Sequence, residues 1–288
     1  ALAEAYQQAY ELMNGLKTEA QNYPDFQNSL QTFYNQAQYF LFLSRGYSAL
    51  SDFYSTIDEA KKSNSTNFSQ LASEYSQAIE DLDTAIESFS TASSLQPDSG
   101  LSQVISQLQS VKGNVQQLQQ MYQILADHES EYESIMNQLN SLLQGVQMSK
   151  GQALQIAQSS NPLGTAFNIY LANISNAIED FLNSLPDNEG GEYLRQHLGS
   201  QWSNTLTALD YYITGIAFIK ASNYVTNDPN KMVEYLNQGA QYLQQSEQYF
   251  EAMGVSKSSL QQLNEQIKKI QERANDIQKL QNLINNLN

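Results

Sequence analysis

Cysteine is absent from the chain, which removes disulfides, thiol catalysis, Cys-ligated zinc and iron–sulfur clusters as explanations of either stability or activity. Histidine is almost absent as well, with His128 and His197 the only two. No hydrophobic run approaches the ~18 residues that a bilayer span needs; the nearest, Tyr39 to Leu43 and Tyr211 to Ile219, are short and broken. The chain is therefore read as soluble. Charge is also scarce. Asp, Glu, Lys and Arg make up 15% of the residues, against ~25% in an ordinary globular protein.

Basic residues are the rarer sign, 14 against 30 acids for a formal net charge of −16. That balance argues against nucleic acid as a partner, because neutralising phosphates needs clustered Lys and Arg. In strong acid the carboxylates protonate, and the side chains then carry at most +16, from 14 Lys and Arg and 2 His. Gln, Asn, Ser and Tyr fill the places that charges usually occupy. They hydrogen-bond to water without ionising near neutrality, so the surface is expected to change little with pH.

What remains is helical pattern. Apolar residues recur at three- and four-residue spacing nearly throughout, and no period-two stretch interrupts them. The expected fold class is all-α, a long-helix bundle or helical-repeat array. A first stripe, Ala5, Ala9, Leu12, Leu16, Ala20 and Tyr23, stops before Pro24. An aromatic-rich helix follows from Leu30 through Tyr47 towards Ile57. A third runs from Phe68 to Phe89, and after QPDSG, where Asp98 or Ser99 supplies a cap, a fourth opens as LSQVISQLQSVKGNVQQL.

The same order returns later. Phe167, Leu171, Ile174, Ile178, Leu182 and Leu185 end at Pro186, and subtracting 162 places each on the first stripe. An aromatic-rich helix around Trp202 comes next. NDP then offers Asp228 as cap and Pro229 in the first turn, Gly254 ends that helix, and Ser259 with Gln262 resembles a capping box for LQQLNEQIKKIQERANDI. Any two amphipathic helices resemble one another, so the recurring order of punctuation is what points to two tandem copies of a four-helix unit joined by an extra helix. The expected division is 1–128, a connecting helix and linker at 129–162, and 163–288. QSSNPLG reads as the clearest linker. A continuous helix from Leu101 to Val146 would span about 70 Å at ~1.5 Å per residue; the alternative is a hairpin at Asp127 to Ser130.

Chemistry-bearing residues are few. There is no Ser-His-Asp spacing, Gly-rich phosphate loop or HExxH. Catalytic, cofactor-binding and metal residues are accordingly expected to be none. His197, among Leu194, Leu198 and Trp202, reads as a packed histidine, and His128 as a surface residue in a helix or turn. Glu80, Asp83 and Glu87 share a face without the histidines of a carboxylate-bridged metal site. Asp187, Asn188, Glu189 and Glu192 lack EF-hand spacing. Lys268, Lys269, Arg273 and Lys279 are interleaved with Glu265, Glu272 and Asp276, a solvated face. Sequons stand at Asn64, Asn67 and Asn173.

The pair of helices around Ala85 to Phe89 with Pro97 beyond is faintly similar to tetratricopeptide repeats, but the Trp-Leu-Gly-Tyr pattern is missing and no family is assigned. The expectation is a non-enzymatic helical scaffold or interaction protein, binding a protein partner or itself. Low charge, absent Cys and the sequons suggest the cell surface or a virion in an acidic environment. The alternatives are an intracellular solenoid adaptor receiving a peptide, and a helical-bundle enzyme or metal-binding protein. The chain begins at Ala, which suits a processed or trimmed form; a signal peptide upstream would favour the first reading, and an initiator Met the second.

Overall fold

The computed structural model of the chain describes residues 2–23, 27–62 and 67–287, leaving Pro24 and the Asn64 sequon outside the described residues. The described residues form eleven helices and no strand: α1 Leu2–Ala20, α2 Gln27–Lys62, α3 Phe68–Leu95, α4 Ser99–Asp127, α5 Glu129–Gln144, α6 Lys150–Ala157, α7 Pro162–Tyr170, α8 Ala172–Ser184, α9 Glu189–Ser222, α10 Pro229–Ala252 and α11 Lys257–Leu287. The all-α class read from the periodicity is the observed one. The chain divides into two compact units, Ala1–Glu129 with Pro186–Gly191, and Ser130–Leu185 with Glu192–Asn288.

In the first unit, α1 packs on α2, α2 on α3 and α3 on α4, each helix against its neighbour in sequence. The short connections require this, because consecutive helices joined by a few residues must turn back on one another. Asp98 ends one connection by accepting the Gly100 N–H at 2.7 Å, and Asn67 caps α3 through Gln70 at 3.0 Å. Phe89 is fully buried at the centre. A methyl group on Gly46 would come within 2.5 Å of its ring, so α2 lays bare backbone on that aromatic face while Tyr47 meets it edge-on at 5.1 Å.

In the second unit, α9 and α10 cross through glycines. A Cβ on Gly215 would lie 3.0 Å from the Gly239 carbonyl oxygen, and one on Gly239 would lie 3.0 Å from that of Gly215. Buried Ser246 donates to the Ala208 carbonyl oxygen at 2.8 Å across the same seam. Asp228 caps α10 with Pro229 in its first turn, and Gly254 (φ +84°) closes it. Val255 N–H reaches the Phe250 oxygen and Gly254 N–H the Glu251 oxygen, the paired bonds of a Schellman stop.

Several expectations are corrected. Of the two alternatives left open for Leu101 to Val146, the break is the one observed: α4 ends at Asp127, His128 leaves helical geometry (φ −116°, ψ 24°), and α5 stops at Gln144. QSSNPLG is scarcely a linker, because Asn161 caps α7 and Pro162 and Gly164 already lie inside it. The single stripe expected from 163 to 185 is two helices, broken at fully buried Leu171. α11 begins at Lys257, so Ser259 stands in its first turn rather than before it. Finally, Leu12 and Leu16, placed on a core stripe, are 67% and 43% exposed. α1 turns its Tyr6 side to α2 instead, stacking Tyr6 on Phe40 and Tyr47, while Ala20 of the stripe is buried.

The buried register recurs between the units. Tyr75, Ala78, Leu82, Ala85 and Phe89 of α3 are buried, and so are Leu236, Gly239, Leu243, Ser246 and Phe250 of α10, each 161 positions on. Leu101, Leu108 and Val115 of α4 match Leu260, Ile267 and Ala274 of α11, each 159 positions on. The stretch 130–161, read as a connector, falls within the second unit.

Candidate functional site

Trp202, the single tryptophan, is 3% exposed on α9 and anchors an aromatic cluster. Phe181 of α8 meets it edge-on at 5.3 Å, and Tyr132 of α5 lies tilted at 5.9 Å. Burial pushes the Tyr132 hydroxyl above its ordinary 10. Beside this cluster α5, α9 and the turn after α10 enclose a groove of about 790 Å³. Its apolar wall includes Met136, Leu139, Phe250 and Met253, while Asn140, Gln201 and Asn204 supply amides. Of the side chains lining it, none carries a fixed charge, and His197 is its one imidazole. His197 is exposed rather than packed as the sequence suggested, because it stands beside Tyr193 on the outer side of α9, stacking on that ring at 5.3 Å and 11°, one helical turn apart. Such a lining suits an uncharged, partly apolar guest and offers no carboxylate to orient the imidazole as a base.

A second, more polar recess of about 700 Å³ lies in the same unit, lined by Tyr211, Phe218, Tyr242 and the amides of Gln238, Gln241 and Gln245. Tyr211 stacks on Tyr249 at 5.4 Å, and Phe218 on Tyr242 at 5.5 Å. Burial, then the Tyr211 hydroxyl and the Asp210 carboxyl, raise the Tyr242 hydroxyl. Asp210 itself is the most perturbed acid among the described residues: burial pushes it from 3.8 to about 7. Its Oδ1 is buried without a hydrogen-bond partner, as is the Oγ1 of fully buried Thr214 one turn later.

The carboxylates singled out in the sequence are not gathered into a site. Glu80, Asp83 and Glu87 are exposed, and Asp83 pairs with Lys112 of α4. Asn188 accepts the Gly191 N–H at 2.8 Å, Glu189 receives Gln117, and Glu192 engages Arg195 and Gln196. Among the described residues no group of three His, Cys, Asp or Glu could hold a metal ion. Lys268 faces Glu272 at 4.0 Å, Lys279 faces Asp276 at 3.5 Å, and Arg273 donates to Asn223 at 3.0 Å. His128 ends α4, its N–H donating to the Ile124 oxygen. Asn67 and Asn173 are exposed.

Sequence reasoning passed over Tyr132, Asp210 and Thr214. Asp210 did leave a signal, since it is the lone charge between Gln201 and Ile219, a stretch apolar on most sides. No known protein family, curated protein or solved structure matches the chain. No helix among the described residues is long and apolar enough to cross a membrane.

Proposed function

We propose that the protein is a non-enzymatic helical scaffold, built from two tandem copies of one helical unit and suited to an acidic setting on a cell surface or virion. The observation that carries this reading is how the helix surfaces are held. Seven one-turn pairs join a Gln amide to a carboxylate at 2.8–3.3 Å: Gln7–Glu11, Gln70–Glu74, Gln77–Asp81, Gln123–Asp127, Gln196–Glu192, Gln238–Glu234 and Gln261–Glu265. A Lys–carboxylate pair loses its attraction when the acid protonates. An amide N–H still donates to the carbonyl oxygen of a neutral carboxyl group, so these pairs survive acidification. Each is worth only about 0.2–0.5 kcal/mol, so the seven together contribute about 1.4–3.5 kcal/mol that does not require an ionised acid.

The tandem arrangement is supported by the recurring buried register and by matched lengths, 36 and 34 residues for α2 and α9, 28 and 24 for α3 and α10, 29 and 31 for α4 and α11. Small-residue contacts recur too. Gly46 lies under Phe89, and Ala208 packs with Phe250. Stacked helical units characteristically present extended binding surfaces.

Circular dichroism between pH 2 and 7 tests the acid setting: helicity unchanged over that range supports it, and unfolding by pH 4 counts heavily against it. The scaffold role is tested with photo-cross-linking residues at the exposed tyrosines Tyr54 and Tyr224, 62% and 44% accessible, in the source cells. One dominant protein adduct, whether a partner or the chain itself, is expected; no adduct from either position sinks the role. The groove beside Trp202 favours a second reading, an adaptor that receives a peptide there. The enzyme reading, in its metal-dependent form, requires bound metal by elemental analysis of the purified protein.

A further inference from the structure

Two helices leave apolar faces uncovered for geometric reasons. α1 buries its Tyr6 side on α2 and turns Leu12 and Leu16 to solvent, 67% and 43% exposed. α11 outruns its neighbour: α10 has 24 residues and α11 has 31, so about 10 Å of α11 extends past the start of α10. The hydrogen bond from Gln281 to Asn230, second residue of α10, marks where that cover ends. Around and beyond it Leu280, Leu283 and Ile284 are 58–59% exposed.

The two faces differ in electrostatic sign. α1 carries Glu4, Glu11 and Glu19 against Lys17, for −2, and Lys17 is drawn over the Tyr34 ring at 3.8 Å. α11 carries Lys257, Lys268, Lys269, Arg273 and Lys279 against Glu265, Glu272 and Asp276, for +2. Five of the chain's 14 basic residues thus stand on one helix of a molecule whose net charge is −16. Helical spacing sets the finer match. Glu19 follows Leu12 by seven residues, on the face of Leu12 and Leu16, while Asp276, Arg273 and Lys269 precede Leu280 by four, seven and eleven.

We propose that copies of the chain associate head to tail, the Leu12–Leu16 face of α1 in one copy seating on the overhanging end of α11 in the next. Antiparallel seating with Leu16 over Leu280 and Leu12 over Ile284 carries Glu19 to the Asp276–Lys279 pair, about a turn from Arg273, whereas parallel seating would carry it onto residues 280–287, which hold no charge. The two faces are different surfaces, so the contact is heterologous and links each copy to two others, in a ring or an open chain. A seam of a few leucines lies at the small end of specific interfaces, which places the association in the weak, roughly micromolar range. This inference rests on the scaffold reading and names its partner as the chain itself.

Sedimentation velocity tests it on the wild type, on L12Q/L16Q and on L280Q/L283Q, each first shown by circular dichroism to keep its helicity. The substituted side chains are exposed, and Gln is a good helix former. The wild type is expected to grow in average mass between about 1 and 100 μM, and to grow less in high salt. Each variant alone is expected to remain monomeric, and an equimolar mixture to form one-to-one dimers that grow no further, because each contributes the face that the other lacks. A monomeric wild type overturns the inference, as does a variant that still polymerises or a mixture that stays monomeric. A monomeric wild type whose tyrosine cross-links lead to another protein leaves the scaffold role standing while removing self-assembly.

Discussion

Replacing Asp210 by Asn should stabilise the protein, and by an amount that depends on pH. The carboxyl sits on α9 within an apolar stretch, with Oδ1 buried and unpaired, and burial raises it from 3.8 to about 7. A shift of that size corresponds at most to about 4 kcal/mol. Because the group is only partly buried, solvent screening reduces the expected effect to about 1–2 kcal/mol. The sign follows from proton counting. Below pH ~4 folded and unfolded chains both hold the proton, so Asp210 costs nothing. Between 4 and 7 the unfolded chain releases it while the folded chain retains it, so stability falls as pH rises, and above 7 the loss is complete. Asn cannot ionise, so D210N should match the wild type at pH 3.5 and exceed it by about 1–2 kcal/mol at pH 8. Urea unfolding followed at 222 nm at pH 3.5, 5.5 and 8 measures both, and taking the difference between variant and wild type cancels the other carboxylates. A difference that stays flat with pH, or a variant less stable at pH 8, refutes the reasoning.

Other substitutions probe the packing. T214V removes a second unpaired buried oxygen at nearly constant volume and should raise stability by up to about 1 kcal/mol, read from the same urea midpoints. G46A brings a methyl group within 2.5 Å of the Phe89 ring; the expected overpacking cost of about 1–3 kcal/mol exceeds the ~1 kcal/mol gained in helix propensity, so its melting temperature should fall, and pairing it with F89L should recover part of the loss. D98A removes the side-chain cap of α4 and should cost about 0.5–2 kcal/mol, with hydrogen exchange quickening first at residues 100–102. G254A forces a Cβ onto a backbone at φ +84° and should cost about 1–2 kcal/mol, seen as a lower urea midpoint at unchanged slope.

The helices themselves were legible in the sequence, because burial on one side imposes a period that residue choice must follow. Leu101, Leu108 and Val115 keep strict seven-residue spacing, as do Leu260, Ile267 and Ala274, and all six are buried. Caps were legible where chemistry is local: Asp98, Asp228, Pro229 and Gly254 act within a few residues of themselves. The break at Leu171 was not, and the one at His128 was legible only as an alternative to a continuous helix. Neither is a glycine or proline, and each retains a backbone hydrogen bond to the preceding turn, His128 to Ile124 and Leu171 to Phe167. The aromatic groove was equally hidden, because Tyr132, Phe181 and Trp202 meet from three helices, and no spacing along one helix encodes such a meeting.

Periodicity reports which side of a helix is apolar, but not how far a neighbour extends to cover it. In α3 and α4 the lengths agree to one residue, 28 against 29, and the Leu101–Val115 register stays covered. In α10 and α11 they differ by seven. The same kind of pattern therefore yields buried Ile267 and Ala274 at one end and exposed Leu280 and Ile284 at the other. α1 makes the complementary case. Its apolar residues occupy more of its circumference than one neighbour can cover, and the Tyr6 side has the stronger claim, because stacking on Phe40 and Tyr47 removes more area than two leucines would. An apolar pattern continued past the reach of its own fold serves no purpose within one chain and carries a solubility cost. Its appearance on two helices of opposite local charge is what an interface between copies would require.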